Sequence, residues 1–153
     1  MADAAIFEAL IKDHDLHRTL LAKIADSEAD EERKALFEQF RVEVTAHAAA
    51  EEESLYATML AKPDLREEAQ HSVAEHKEIE DFLKELGDLD IGKEAWEATF
   101  KHMMKRYLHH IDEEEEEMFP TAEDGLSGAE EKRLAGVFKR RKPAELRQAK
   151  SDA

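Results

Sequence analysis

Two stretches of the chain share one pattern, His47-Ala-Ala-Ala-Glu51 and His110-Ile-Asp-Glu-Glu114. Positions four apart on an α-helix lie about 40° from each other around the axis, so each His faces the same way as its Glu. Imidazole and carboxylate together suit divalent first-row metals, iron, manganese and zinc among them. Two more histidines, His14 and His76, each follow an acidic residue, Asp13 and Glu75. Laying the second half of the chain on the first places Asp13-His14 on Glu75-His76, an offset of 76 − 14 = 62, and His47 on His110, an offset of 110 − 47 = 63. Leu20-Leu21 then falls on Phe82-Leu83, and Leu55-Tyr56 on Met118-Phe119. The chain reads as two related helical hairpins, with the histidines among the best-matched positions.

Helical periodicity tests whether these groups face inward. With His110 at 0°, Met103, Trp96, Tyr107, Phe100 and Met118 fall between about 20° and 80°, and Glu114 sits among them at about 40°. His102 and His109 fall off this stripe. His47 and Glu51 share a face with Phe40 and Val44, and His76 with Leu65, Ala69 and Leu83. His14 lies among Phe7, Leu10 and Leu21. His17 also faces inward, and the repeat rather than the periodicity favours His14 over it. His71, His102 and His109 are expected at the surface.

A single core His is usually just a hydrogen-bonded core residue, and Glu51 or Glu114 alone would pass for part of a solvated charge run. Jointly the pattern reads differently. His14, His47, Glu51, His76, His110 and Glu114 converge in an apolar interior, where unpaired ionised groups cost several kcal/mol apiece. Two metal ions would remove that cost, each taking two His, with Glu51 and Glu114 bridging. Iron is the expected metal because bridging carboxylates in bundle cores recur in di-iron proteins, while manganese and zinc accept the same donors. Glu80, one turn beyond His76, is a further candidate ligand.

Positioning these side chains requires long helices, and the composition supplies them. Gly and Pro number only 5 and 3, and both are the breakers of helices. A first helix capped by Asp3 is expected to run to about Asp26. A second follows the polar stretch Ser27 to Asp30 and stops near Ala61 before Pro63. The third is capped by Asp64 and ends at Gly87, and the fourth runs from the Asp88–Gly92 turn to Phe119, stopped by Pro120. Short loops force an all-α, up-down-up-down four-helix bundle over residues 1–122. Residues 123–153 then form a short fifth helix, from Ser127 to before Pro143, and a basic tail. That tail can dock against the Glu113–Glu117 run.

The chain has no Cys, which excludes disulfides, thiolate metal sites and Cys nucleophiles. A net charge of −16 argues against nucleic acid as a partner. No apolar run reaches the length of a membrane span, and no basic, apolar leader is seen, so the cytoplasm is the expected compartment.

The full set of residues resembles the hemerythrin-like, or HHE cation-binding, domain over roughly residues 3 to 120. Asp13-His14, His47-x-x-x-Glu51, Glu75-His76 and His110-x-x-x-Glu114 carry the resemblance, and Met118-Phe119-Pro120 is similar to the Leu-Phe-Pro that follows the last ligand in such domains. Oxygen-carrying hemerythrins have a second His one turn before the third-helix ligand. Here that position is Ser72, and the fourth-helix carboxylate is Glu at i+4 rather than Asp at i+5. The chain therefore resembles the His-poorer branch, linked to iron sensing, peroxide breakdown or responses to nitric oxide and oxygen. The resemblance implies a non-haem di-iron protein with an oxo- or hydroxo-bridged iron pair that binds or reduces oxygen, peroxide or nitric oxide. As an enzyme it would be an oxidase or a peroxide consumer. The alternative is an iron- or redox-sensing module whose fold responds to metal occupancy. Ferritin-type wiring needs Glu-x-x-His on two helices, and only Glu68-x-x-His71 is present.

Overall fold

The computed structural model describes residues 5–152, so the expected Asp3 cap lies outside the described residues. Helix α1 is Ala5–Asp26. Helix α2 is continuous through an α-helical part Asp30–Glu51, a π-helical turn Glu52–Tyr56 and a last turn Ala57–Leu60. Helix α3 is Arg66–Asp88. Helix α4 repeats the form of α2, with Glu94–Glu113, a π-helical turn Glu114–Met118 and Phe119–Gly125. Helix α5 is Gly128–Ser151. Helices α1 and α2 pair, α3 and α4 pair, and α5 lies along α1 and α2. The expected four-helix bundle with a fifth helix is the observed fold.

The helix ends differ from expectation in informative ways. Leu65, not Asp64, occupies the cap position of α3, with no side-chain cap. Leu65 is buried in the core, and that burial sets where the helix starts. Pro120 does not end α4. It falls in the first turn after the π-helical segment, where the hydrogen-bond register changes and a missing N–H is least costly. The fifth helix is not short and does not stop at Pro143, which lies inside it. Tertiary contacts hold the helix on both sides of this Pro. Lys142 Nζ bonds Asp13 Oδ2 at 2.7 Å, and Arg41 Nη2 donates to the Ala149 carbonyl at 3.1 Å. Ser127 caps α5 in a reciprocal box with Glu130. Gly92, at φ 87°, makes the left-handed turn into α4.

Both π-helical turns begin directly after a His-x-x-x-Glu pair or at its Glu. Counting from His47 or His110 in unbroken α-helix, Tyr56 and Phe119 would lie about 180° away and face solvent. The extra residue in each π turn brings them back, and both are fully buried. Such turns recur at functional sites.

The apolar residues form two clusters along the bundle. One contains Phe7, Leu10, Leu55, Met59, Phe119 and Phe138. The other contains Leu21, Phe40, Leu83, Trp96, Phe100 and Met103, with the Trp96 and Phe100 rings stacked at a centroid separation of 5.3 Å. Each large side chain so buried contributes about 1.5–3 kcal/mol, which is the stability the bundle has available to hold polar groups between the clusters. Among the described residues no helix is long and apolar enough to cross a membrane.

Candidate metal centre

Between the two clusters, His14, His47, Glu51, His110 and Glu114 are buried, and His76 exposes 8 % of its side chain. All six side chains that the sequence singles out meet here. Each imidazole turns its Nε2 towards a carboxylate. His76 Nε2 lies 3.2 Å from Glu51 Oε1 and His47 Nε2 lies 3.6 Å from the same atom. His110 Nε2 lies 3.1 Å from Glu114 Oε1 and His14 Nε2 lies 3.5 Å from it. Each Glu therefore faces one His from each hairpin, as bridging carboxylates would.

The outer nitrogens are tied down in the same two-fold fashion. His47 Nδ1 donates to Asp13 Oδ2 at 2.8 Å, and its counterpart His110 Nδ1 donates to Glu75 Oε1 at 2.7 Å. His14 Nδ1 donates to Glu115 Oε2 at 2.7 Å, and His76 Nδ1 lies 3.5 Å from Glu52 Oε2. For His14, His47 and His110 the carboxylate behind the ring fixes its tautomer and leaves the lone pair of Nε2 pointing inward, the arrangement a metal-binding His needs, while Glu52 stands behind His76 without a hydrogen bond. Sequence reasoning does not single out Glu52, Glu115 or Lys142. The two Glu are related by the repeat, 115 − 52 = 63, and that offset was the available signal. Lys142 reaches Asp13 only because α5 folds across the hairpin.

Among the described residues the inner atoms lack hydrogen-bond partners. Nε2 of His14, His47 and His110, both oxygens of Glu51 and Oε1 of Glu114 are buried without one. Native structures carry only a few such atoms per hundred residues, so a group of them facing one another calls for an explanation. A metal with bonds of about 2.0–2.2 Å has neighbouring donors about 3.0–3.5 Å apart, close to the spacing between these atoms. The donor set fits a metal on chemistry and on geometry.

Without metal, protons are shared unequally. Burial disfavours a charged His14, but Glu114 and Glu115 outweigh it and raise the ring to about 9. Burial acts likewise on His110, and Glu114 and Glu75 raise it to about 10. His47 goes the other way, to about 4, driven by burial against the pull of Asp13. Burial and the neighbouring Glu114 raise Glu51, while the facing histidines hold Glu114 well below its ordinary value against the effect of burial. At pH 7 His14 and His110 thus carry protons that a metal must displace. Loading is expected to release at least about two protons per chain and to strengthen as pH rises from 7, levelling off above about 10. The sign for the metal-free fold is opposite. Raised histidines stabilise it fully below their ordinary 6.5, and that stability is lost as pH rises through 9 to 10. Calorimetric titration of stripped protein in two buffers of different ionisation enthalpy counts the protons. Release of none would contradict this electrostatic arrangement.

Other candidates settle in different places. His17 is buried, its Nδ1 sharing a hydrogen bond with the Tyr107 hydroxyl at 2.7 Å and its ring edge-on to His47 at 5.1 Å. It belongs to the surroundings of the site rather than to the groups that meet at a common point. Glu80 points away, 57 % exposed and paired with Lys84 at 3.1 Å. The buried stripe of α3 runs through Ile79 and Leu86, on the far side of His76, which leaves Glu80 on the rim. His71, His102 and His109 are exposed, as expected. Among the described residues the basic side chains of α5 form no ion pair with the Glu113–Glu117 run. Lys142 pairs with Asp13, and Arg141 pairs with Glu53 and Glu145. Tyr56 donates to Glu114 Oε2 at 2.5 Å. Its counterpart in the repeat is Phe119, so only one carboxylate has this support.

A pocket and a cleft reach the centre. A pocket of about 330 Å³ is lined by Glu68, His71, Ser72 and Glu117 and ends on His110 and Glu114. A cleft of about 870 Å³ between α2 and α3 reaches His47 and His76 past Val44, Ile79 and Leu83.

A helical bundle with two His-x-x-x-Glu pairs closing on a buried His and carboxylate cluster defines a cation-binding protein. The sequence matches the hemerythrin HHE cation-binding domain family over residues 5–122, and the chain belongs to that family. The fold is similar to the crystal structure of a hemerythrin HHE cation-binding domain-containing protein from Mycobacterium kansasii, at 24 % identity and a TM-score of 0.80 over 97 % of this chain and 90 % of that one. No curated protein matches the sequence.

Proposed function

We propose that the chain holds a pair of iron ions through His14, His47, Glu51, His76, His110 and Glu114, and that it binds or reduces a small oxidant there. The observation that carries this reading is the set of buried, partnerless Nε2 and carboxylate atoms facing one another. A bound iron pair supplies two electrons, one per ion, which with two protons balances reduction of peroxide to two waters. Four His and two Glu, each Glu shared between the ions, would provide eight bonds against about ten to twelve positions on two five- or six-coordinate ions. The chain thus leaves room for oxygen, peroxide or nitric oxide. Its own side chains do the rest. Asp13, Glu75 and Glu115 hold the rings of His47, His110 and His14, and Tyr56 holds Glu114. Ser72, buried with its hydroxyl 3.7 Å from Met118 Sδ, stands where a further His would close the 330 Å³ pocket. We read residues 1–122 as the metal-binding bundle and 123–153 as a helix that braces it, and place the protein in the cytoplasm.

An open position favours turnover over storage. The ferrous protein is expected to oxidise irreversibly in air, and Ser72→His to slow that oxidation. Stopped-flow absorption tests it: a wild-type spectrum that returns to the ferrous form on degassing counts against the reading.

A sensing role is the second reading, and one contact favours it. Lys142 bonds Asp13, and Asp13 bonds His47, so metal occupancy at His47 is linked to the docking of α5.

A further inference from the structure

Outside the buried centre, a second group of metal-binding side chains lies at the mouth of the 330 Å³ pocket. His71 Nε2 is 3.1 Å from Glu113 Oε1 and 3.5 Å from Glu75 Oε2. His109 Nε2 is 3.0 Å from the other Glu113 oxygen. The ligand atoms of His71, Glu75 and Glu113 all lie within 4.8 Å of one another. These separations match the edges of a coordination shell with bonds of about 2.0–2.2 Å. His71 and His109 are 55 % and 62 % exposed, so their rings are accessible to an ion from solvent.

The repeat shows that this group is an addition to the fold. At the same offsets the first half has Ala9 for His71, Ala46 for His109 and Ala50 for Glu113 (71 − 9 = 62, 109 − 46 = 63, 113 − 50 = 63). The related face of the first hairpin is covered by α5, whereas the pocket here runs from His71 and Glu113 to His110 and Glu114. At its inner end His110 Nε2 and Glu114 Oε1 are buried and have no hydrogen-bond partner among the described residues. Glu75 joins the two groups, with Oε2 towards His71 and Oε1 accepting from His110 Nδ1. Glu67, Glu68 and Glu117 complete an anionic lining that raises the local concentration of cations.

We infer that His71, Glu113 and Glu75, with His109 beside Glu113, form an outer divalent-cation site that captures an ion and passes it down the pocket to the buried centre. The inference rests on the proposed buried ligand set, and its test separates the two. Full-length protein is stripped with a chelator and mixed with Co(II), whose visible absorption reports His and carboxylate coordination. Because both rings are exposed, His71→Ala/His109→Ala should fold normally. It is expected to load about tenfold more slowly or worse, with the final content of the buried centre unchanged. Fully loaded wild-type protein should take up one more, easily exchanged Co(II), and the double variant none. Loading of the variant at the wild-type rate, or no additional ion on loaded wild-type protein, overturns the outer site. If His110→Ala leaves the final content of the wild-type background unchanged, the buried assignment itself fails, and the loading route fails with it.

Discussion

Replacing His110 with Ala is expected to empty most of the metal centre and to weaken the fold at the same time. Its Nε2 is 3.1 Å from Glu114 Oε1, and its Nδ1 holds Glu75 at 2.7 Å. Removing the ring takes away a ligand and leaves a buried carboxylate beside an incomplete shell. Breaking one partner out of a buried charged pair costs about 3–5 kcal/mol. In a chain of this size each kcal/mol lowers the melting temperature by about 2–4 °C, so a fall on the order of 10 °C is expected. His47→Ala should behave alike, because Asp13 and Glu51 lose the same kinds of partner. His102→Ala is the control, since His102 is exposed and packs edge-on to Phe82 at 5.0 Å, away from the centre. Elemental analysis and thermal melts read both effects. Full metal content in His110→Ala and His47→Ala would refute the ligand assignment.

Stripping the metal from the wild-type chain should have the other large effect, and it separates the enzyme reading from the sensing one. The buried site would then retain the partnerless atoms of Glu51, Glu114 and three histidines. Protons on His14 and His110 offset part of that cost at neutral pH, because both rings are raised well above 7. The two apolar clusters above and below the site are unaffected by the loss. The metal-free protein is therefore expected to stay helical at room temperature and to melt at least about 10 °C lower, a loss of several kcal/mol. Circular dichroism of chelator-treated protein at pH 7 decides the matter. Loss of most helical signal before heating would favour the sensor, with α5 released as the Lys142–Asp13–His47 chain lets go.

Much of this centre is legible in the sequence because its proposed ligands obey a local rule. His47 with Glu51 and His110 with Glu114 must share a face on any α-helix, and the two-hairpin repeat brings in His14 and His76 without knowledge of the packing. Periodicity also puts His71, His102 and His109 outside. Other positions depend on departures from ideal helix and on contacts between helices. Tyr56 and Phe119 face inward only because each π-helical turn adds a residue and rotates the chain beyond it. Glu80 shares the helical face of His76 yet ends up in solvent, since the packing of Ile79 and Leu86 turns α3 the other way.

The carboxylates behind the rings divide along the same line. Asp13 and Glu75 stand next to His14 and His76 in sequence, but each bonds a His on the neighbouring helix rather than the one beside it. Glu115 and Glu52 cross between hairpins to reach His14 and His76. Pro143 marks a helix end by its chemistry, and contacts on both of its sides carry α5 through it and set Lys142 on Asp13. Sequence by itself determined which residues share a face and what metal chemistry they suit, since side-chain direction on a helix is set by spacing. Only the tertiary structure decided which nitrogen of each His points inward, which carboxylate holds it, and where the centre opens to solvent, since these depend on the register of one helix against another.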